Sequence, residues 1–339
     1  MNLDRFHDIA RRYPALRLAI VGDFCLDRYL DIDPARSEVS IETGLPVHNI
    51  VRVRSQPGGA GTILNNLVAL GVGEVVLVGM AGEDGEGWEL RRALAAMRGV
   101  RLDFFHQTAE RHTFTYTKPL LQQPGRPPVE LNRLDLKNWD CLPPAWEQRL
   151  QESVTAVFDQ VDAVVLLEQV DLPDTGVLTR GLLETIGRLA RQYPGKLVLA
   201  DSRRGLAHFP PVSFKMNRHE LTRLMGLPLE AGLAQIRENA VVLARRQGQR
   251  VFVTLAEHGL LGADPNGQIA HVDSLPLRGE IDIVGAGDAV TANLATALSA
   301  GAGLVEALDI ANTAASIVVH QLGTTGTASV AHIAALSAP

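Results

Sequence analysis

The stretch DIVGAGDAVTANLATALSAG, residues 282–301, joins a glycine turn to a run of small residues typical of a buried helix. Glycine at 285 and 287 lets backbone N–H groups approach a ligand with no Cβ in the way. Because these N–H groups lie at the positive end of the helix, the stretch predicts an anion site suited to phosphate. Asp288 falls in the first helical turn, where it either caps the helix or takes a proton from a hydroxyl.

Short β-branched runs alternate with helical patterns through the rest of the chain. The predicted strands are 18–21, 75–78, 163–167, 196–200 and 251–254, and the predicted helices are 60–70, 86–97, 174–192, 287–299 and 303–320. Apolar strands between helices predict a mostly parallel sheet covered on both faces, an α/β protein with three α/β/α layers. Asp23, Asp201 and Glu257 each follow a predicted strand, at the edge where ligands bind in such folds.

Three stretches alternate polar and apolar residues instead, at about 45–54, 112–118 and 129–135. Alternation is typical of strands with one solvated face, which cannot be central to a buried parallel sheet. They predict a small antiparallel β sheet, inserted as a lid at about 31–57 and 108–134 of a single domain spanning 1–339. A hairpin without function is the alternative.

The composition limits the functions open to the chain. Its 339 residues are 46% hydrophobic and 21% charged, with a net charge of −6, which argues against a nucleic-acid or anionic-membrane binder. Two distant cysteines, Cys25 and Cys141, make neither a disulfide framework nor a zinc site and suit a reducing compartment. With no signal-peptide core and no long apolar run, we expect a cytoplasmic protein that acts on a small molecule.

Three further groups of residues are candidates for ligand contacts, and each has a simpler interpretation. Gly58 and Gly59 open a helix that carries Asn66, so they form either a plain turn or a surface for a polar ligand. Asp23 and Asp27, predicted to lie in a loop, either reach sugar hydroxyls or cap the backbone. Asn217 and Glu220, three residues apart, are equally typical of a capping box and of a functional pair.

In this order, the motifs resemble the ribokinase-like (pfkB) family of carbohydrate kinases over about residues 16–328. The likeness rests on the Gly58-Gly59 element, Asn217-x-x-Glu220, the loop 254–259, the Asp282–Asp288 signature and the helix around Asn312. The resemblance implies an ATP- and Mg²⁺-dependent kinase. Asp288 would be the base, and the N–H groups of Gly285, Ala286 and Gly287 would bind the transferred phosphoryl group.

The resemblance also assigns the nucleotide side of the site. Asn217 and Glu220 would organise Mg²⁺ through water, and Thr254, Glu257 and Gly259 would line the nucleotide loop, in which Ala256 replaces a family glycine. Asn312 and Ala315 would line the adenine pocket. Family members often bind K⁺ near the anion site, where Asp282 would contribute, and they often form homodimers through their lids.

Within the family, the chain is most similar to the heptose 7-phosphate kinase domain of ADP-heptose synthesis. Asp23, Asp27, Gly58, Gly59 and Asn66 would then bind the sugar, and Lys118 and Arg133 its phosphate. Thr62, Leu120 and residues 168–171 depart from that group on the substrate side. A kinase for a nucleoside or other small alcohol, or a regulatory protein that binds nucleotide or sugar on a kinase scaffold, are the alternatives.

Overall fold

The computed structural model describes residues 1–123, 125–323 and 325–337, and Pro124 of the second predicted lid segment lies outside them. Nine strands form a main sheet in the order β16-β15-β14-β13-β12-β11-β1-β6-β7. Their bounds are β1 Arg17–Gly22, β6 Glu74–Gly82, β7 Val100–Thr108, β11 Ala163–Glu168, β12 Leu197–Ser202, β13 Ser213–Asn217, β14 Val251–Thr254, β15 Leu260–Ala263 and β16 Ile269–Val272. Strands β7 to β14 in this order pair in parallel, whereas β15 and β16 close one edge with antiparallel pairs.

Ten helices accompany the strands within the described ranges. They are α1 Leu3–Ala10, α2 Ala60–Ala69, α3 Gly85–Ala95, α4 Pro144–Phe158, α5 Arg180–Gln192, α6 Arg218–Met225, α7 Leu233–Gln247, α8 Ala286–Ser299, α9 Leu304–Val318 and α10 Val330–Ser337. Short 3₁₀ turns lie at Tyr13–Ala15, Pro34–Arg36 and Ala256–His258. None of these helices is long and apolar enough to cross a membrane.

The core is divided into two halves by the alternation of side chains along the strands. In β1, Leu18 and Ile20 pack with α1, α2, α3, α8, α9 and α10 on one face. Ala19 and Val21 pack with α4, α5, α6 and α7 on the other. Both faces of the sheet are therefore covered by helices, and the predicted three-layer architecture is confirmed.

A smaller sheet lies beyond the carboxyl ends of the main strands. It joins β10 Leu134–Leu136, β8 Thr115–Gln123, β2 Phe24–Ile32 and β5 Ile50–Gly59, and β9 Arg126–Glu130 pairs with β8. All of these pairs are antiparallel except β2–β8, which is parallel. A separate hairpin pairs β3 Glu38–Val39 with β4 Pro46–Val47. That the small sheet acts as a lid stays a prediction.

Two local predictions were wrong. The loop expected after β1 is a single residue, Asp23, and the chain continues at once into β2 because Phe24, Cys25 and Leu26 are all buried. Asp27 therefore lies within a strand and not in a loop. The helix expected to begin near residue 174 begins at Arg180, where the Thr179 hydroxyl caps it by accepting from the Leu182 N–H.

Candidate active site

The turn at Gly285 places the first turn of α8 against the small sheet. Gly285 has φ +83°, a conformation that favours glycine, and a Cβ there would lie 2.6 Å from Cγ2 of Thr325. Thr325 in turn accepts a hydrogen bond from Gln56 on β5. The N–H of Ala286 donates to the carbonyl of Ile283 at 3.3 Å, whereas those of Gly285, Gly287 and Asp288 have no acceptor among the described residues. Two of the three N–H groups predicted for the anion site, those of Gly285 and Gly287, are thus without a protein partner in the described chain, and the N–H of Asp288 joins them.

Asp288 lies in this first turn with its carboxylate available. Its side chain makes no hydrogen bond to any described residue, and α8 has no side-chain cap, so the capping interpretation is not what the structure shows. Burial raises the pKa of Asp288 to about 7, and the negative charge of Asp201 adds to the effect. Lys215 lowers the pKa, and Asp27 raises it slightly. A carboxylate with a pKa near 7 is suited to accept a proton at neutral pH.

A buried ion pair lies beside Asp288 at the ends of β12 and β13. The Lys215 ammonium donates to Oδ2 of Asp201 at 2.7 Å, and the Thr291 hydroxyl lies 3.1 Å from the same oxygen. Although burial lowers the pKa of Lys215, the attraction and hydrogen bond of Asp201 outweigh it and raise that pKa. Lys215 therefore stays protonated, and its charge faces the first turn of α8.

Asn217 and Glu220 form the capping box that the sequence allowed. Oδ1 of Asn217 accepts from the Glu220 N–H at 2.9 Å, and Oε2 of Glu220 accepts from the Asn217 N–H at 2.7 Å. Burial is the main cause that raises the pKa of Glu220, and Asp201 adds to it. The other carboxylate oxygen of Glu220 has no hydrogen-bond partner among the described residues.

Asn217 and Glu220 fit a magnesium ion that they contact through water. The described ranges contain no cluster of three or more His, Cys, Asp or Glu side chains that could hold a metal ion. Mg²⁺ commonly keeps several waters and binds one or two carboxylates together with substrate phosphates. Glu220, half-buried and with one free oxygen, suits contact through water. That Asn217 and Glu220 organise Mg²⁺ through water stays a prediction.

The predicted nucleotide loop is a tight turn between β14 and β15. The Thr254 hydroxyl lies 3.5 Å from the carbonyl of Met216, and Glu257 is exposed. Ala256 has φ +51°, a left-handed conformation that costs a residue with a Cβ, which explains why a glycine is typical there. Gly259 has φ +83°, and a Cβ at that position would overlap the carbonyl oxygen of Val272.

The residues expected at the adenine and potassium sites lie nearby on the C-terminal part of the fold. Asn312 on α9 donates to the carbonyl of Asp273 at 2.9 Å, and Ala315 lies one turn further on, partly buried. The Asp282 carboxylate accepts from the Val284 N–H at 3.0 Å, so it fixes the turn that precedes Gly285. Contacts of these three residues with adenine or K⁺ stay predictions.

Among the residues predicted to bind the sugar, Asp27 and Gly58 lie against each other. A Cβ at Gly58 would lie 2.7 Å from Oδ2 of Asp27, so the glycine is needed for this approach. Nζ of Lys118 is 4.0 Å from Oδ1 of Asp27 and contacts the Tyr29 ring. Burial raises the pKa of Asp27, against the attraction of Lys118 and Arg133. The Arg133 guanidinium pairs with both oxygens of Asp135 and covers the ring of Tyr116.

Asp23, Gly59 and Asn66 have structural partners. Asp23 is 1% exposed, and its oxygens accept from the N–H groups of Gln169 at 2.8 Å and Val177 at 2.7 Å. Gly59 has φ +57°, and a Cβ there would lie 2.7 Å from the Asp23 carbonyl oxygen. Asn66 is fully buried and accepts from the Ala328 N–H at 3.4 Å. These residues shape the site, and their direct contact with a sugar stays a prediction.

Sequence reasoning missed Lys215, and it noted residues 168–171 only as a departure from the heptose kinase group. Asp201 was noted only as a strand end, and Lys215 had no signal beyond its place in the strand before Asn217. An open cleft of about 290 Å³ lies beside Tyr116, with Lys137, Gln169 and Asp171 in its wall. Glu168 is fully buried and pairs with Arg204 at 2.8 Å. Ion pairs between side chains of different strands leave no pattern in a single sequence.

The comparisons with known proteins agree with this architecture. The family model for the pfkB family carbohydrate kinase matches residues 199–330. The bifunctional protein HldE of Azorhizobium caulinodans is 32% identical over 308 residues, which cover 91% of this chain and 61% of that protein. HldE of Trichlorobacter lovleyi is 30% identical over 347 residues, or 99% of this chain and 66% of that protein. The chain thus spans just under two thirds of the length of the curated relatives it matches.

Solved structures with the same fold are more distant in sequence. Arabidopsis thaliana ribokinase complexed with ribose and ATP has a TM-score of 0.68 at 20% identity, covering 95% of this chain and 98% of that one. Escherichia coli phosphofructokinase-2 in complex with fructose-6-phosphate has the same TM-score, identity and coverage. At this identity the likeness shows the ribokinase-like fold alone.

Proposed function

The chain belongs to the pfkB family of carbohydrate kinases, and on that premise we propose that it transfers the terminal phosphoryl group of ATP to a hydroxyl of a sugar or sugar phosphate. The observation that carries the proposal is Asp288. Its carboxylate has no hydrogen-bond partner in the described chain, its pKa is raised to about 7, and it adjoins unpartnered N–H groups at the start of α8. A base and an anion site are thus side by side.

In the proposed reaction, the Asp288 carboxylate orients the acceptor hydroxyl and takes its proton. The acceptor oxygen forms a bond to the terminal phosphorus as the bond from that phosphorus to the bridging oxygen breaks, and ADP leaves. The N–H groups of Gly285, Gly287 and Asp288, with that of Ala286 once it leaves Ile283, stabilise the charge on the transferred group. Bound Mg²⁺ would neutralise phosphate charge, with Glu220 and Asn217 contacting its waters.

The acceptor side favours a substrate that carries a phosphate. Lys118, 13% exposed, and Arg133 both lie near Asp27 on the small sheet, and such cations can bind a substrate anion. Heptose 7-phosphate, by similarity to the heptose kinase domain, is the acceptor we would test first. K⁺ near Asp282 is part of the same proposal, because the Asp282 carboxylate lies in the turn that leads into the anion site.

The small sheet would close over the acceptor and exclude water, which would otherwise compete for the phosphoryl group. Its strand β5 pairs on one side only, and Ile50, Val51 and Val53 along it are about half exposed. An open apolar edge favours pairing with a second copy, so we propose a homodimer formed through the lid. The two unpaired cysteines support a cytoplasmic location.

The experiment measures ADP release from ATP and Mg²⁺ across a panel of sugars, sugar phosphates and nucleosides. Asp288→Asn should lower kcat about 10²–10⁴-fold and leave nucleotide binding in place. Asp4→Asn, which changes an exposed acid in the first turn of α1, is the matched control and should have no effect. Full activity of Asp288→Asn would refute the role of the base. If no acceptor of the panel leads to ADP release although ATP still binds, the result would favour a regulatory protein.

A further inference from the structure

The ammonium of Lys215 lies close to the backbone of Gly287. Nζ would lie 2.9 Å from a Cβ at position 287, so a side chain there would push the flexible end of Lys215 aside. Lys215 is 6% exposed and belongs to β13, whereas Gly287 belongs to the first turn of α8. The fold thus brings a positive charge from a central strand to the same point as the unpartnered N–H groups of the helix.

The contacts of Lys215 leave part of its hydrogen-bonding capacity unused. An ammonium has three N–H donors, and the described residues offer Lys215 a single hydrogen-bond acceptor, Oδ2 of Asp201. The N–H groups of Gly287 and Asp288 also lack acceptors in the described part of the chain. These donors, drawn from two elements, meet at the first turn of α8, which also carries the Asp288 carboxylate.

The partners of Lys215 hold it in this place. Asp201 lies at the end of β12, and its Oδ2 accepts from Lys215 at 2.7 Å and lies 3.1 Å from the Thr291 hydroxyl. Thr291 lies on α8, and its hydroxyl is also 3.1 Å from the carbonyl of Gly287. Asp201 therefore ties the ammonium to the helix whose N-terminus it faces. A buried ion pair adds little stability by itself, so stability alone is a weak explanation for this one.

We propose that Lys215 binds the terminal phosphate of the nucleotide and follows it during transfer, with Asp201 as the positioning residue that holds the ammonium over the first turn of α8. The inference rests on the proposed kinase function and adds a cation to it. The N–H groups offer only dipoles to the phosphate, whereas an ammonium at this point would add a full positive charge. That charge matters most while the phosphoryl group is being transferred.

The test compares the binding of ATP, ADP and AMP by calorimetry without any acceptor. Lys215→Met should weaken ATP binding by about 10- to 100-fold, the effect of one charge-assisted hydrogen bond, and change AMP binding by less than threefold. Lys215→Arg should restore part of the ATP affinity. Asp201→Asn should reduce the preference for ATP over AMP while Lys215 is still present, which loss of fold stability alone would not do.

Lys196→Met is the matched control, because Lys196 is also partly buried but lies just before β12, at the opposite end of the strand from Asp201. It should leave the ATP-to-AMP preference unchanged. Equal loss of ATP and AMP affinity in Lys215→Met, or no loss at all, would overturn the role of Lys215. Failure of the wild-type protein to bind any nucleotide would instead reject the kinase function from which the inference starts.

Discussion

Asp201 acts on Asp288 from a different element of the fold. Asp201 lies near the end of β12 and Asp288 lies in the first turn of α8. Burial is the main cause that raises the pKa of Asp288, and the negative charge of Asp201 adds to it. Lys215, which pairs with Asp201, has the opposite effect and lowers the pKa of Asp288. Besides burial, an acid of β12 and a cation of β13 therefore change the proton affinity of the proposed base in opposite directions.

The first prediction concerns the pH dependence of turnover. A base works when deprotonated, so kcat/KM should rise with pH through about 7 and level off above it. Asp201→Asn removes a negative charge that raises the pKa of Asp288, so the midpoint should move to lower pH even though the rate falls. Initial rates between pH 5.5 and 9 with saturating Mg²⁺ measure both. A flat profile over this range would contradict the assignment of Asp288.

The second prediction concerns stability. The pKa of Asp288 is about 7 in the fold and near 3.8 when unfolded, so its carboxyl costs no stability below about pH 4. The cost grows as pH rises to 7 and is constant above. Asp288→Asn should therefore stabilise the protein at pH 8 by about 1–3 kcal/mol, and less as the pH falls. Chemical denaturation at pH 8 and pH 5 tests this, and equal stability of the two proteins at pH 8 would contradict it.

The third prediction uses two positions of the predicted nucleotide loop, one changed from glycine to alanine and the other from alanine to glycine. Gly259→Ala should destabilise the protein by about 2 kcal/mol or more, because the new Cβ meets the Val272 carbonyl and φ is +83°. Ala256→Gly relieves a left-handed alanine at φ +51° and should be neutral or stabilising by up to about 1 kcal/mol. Thermal unfolding of both variants measures these changes in stability. A destabilised Ala256→Gly would show that the left-handed conformation of Ala256 carries no strain.

The fourth prediction concerns the cations of the small sheet. Lys118→Met should raise KM for a phosphorylated sugar at least 10-fold, with a much smaller effect on the same sugar without its phosphate. Arg126→Ala removes an exposed cation of β9 and serves as the control, for which both KM values should stay the same. Equal increases for both substrates would instead assign Lys118 to the pairing with Asp27 that is seen in the structure.

Much of this architecture could be predicted from local patterns. The strands at 163–167 and 251–254 and the helices at 287–299 and 303–320 lie within a few residues of their predicted bounds, because apolar runs and glycine turns act locally. The strand β2 was missed because Asp23 and Asp27 made the segment look like a loop. Its burial depends on β5 and β8, which flank it in the small sheet.

The sequence by itself determined the layered α/β fold and the turn at 285–288, because backbone conformation and hydrophobic periodicity are properties of neighbouring residues. Only the tertiary structure decided that Asp288 is no helix cap, that Asn217 and Glu220 do form a capping box, and that Lys215 meets Asp201 beneath α8. Such contacts depend on which strand ends the sheet brings together. Charges buried there change one another's pKa values because they are close in space, and their spacing along the sequence does not show that closeness.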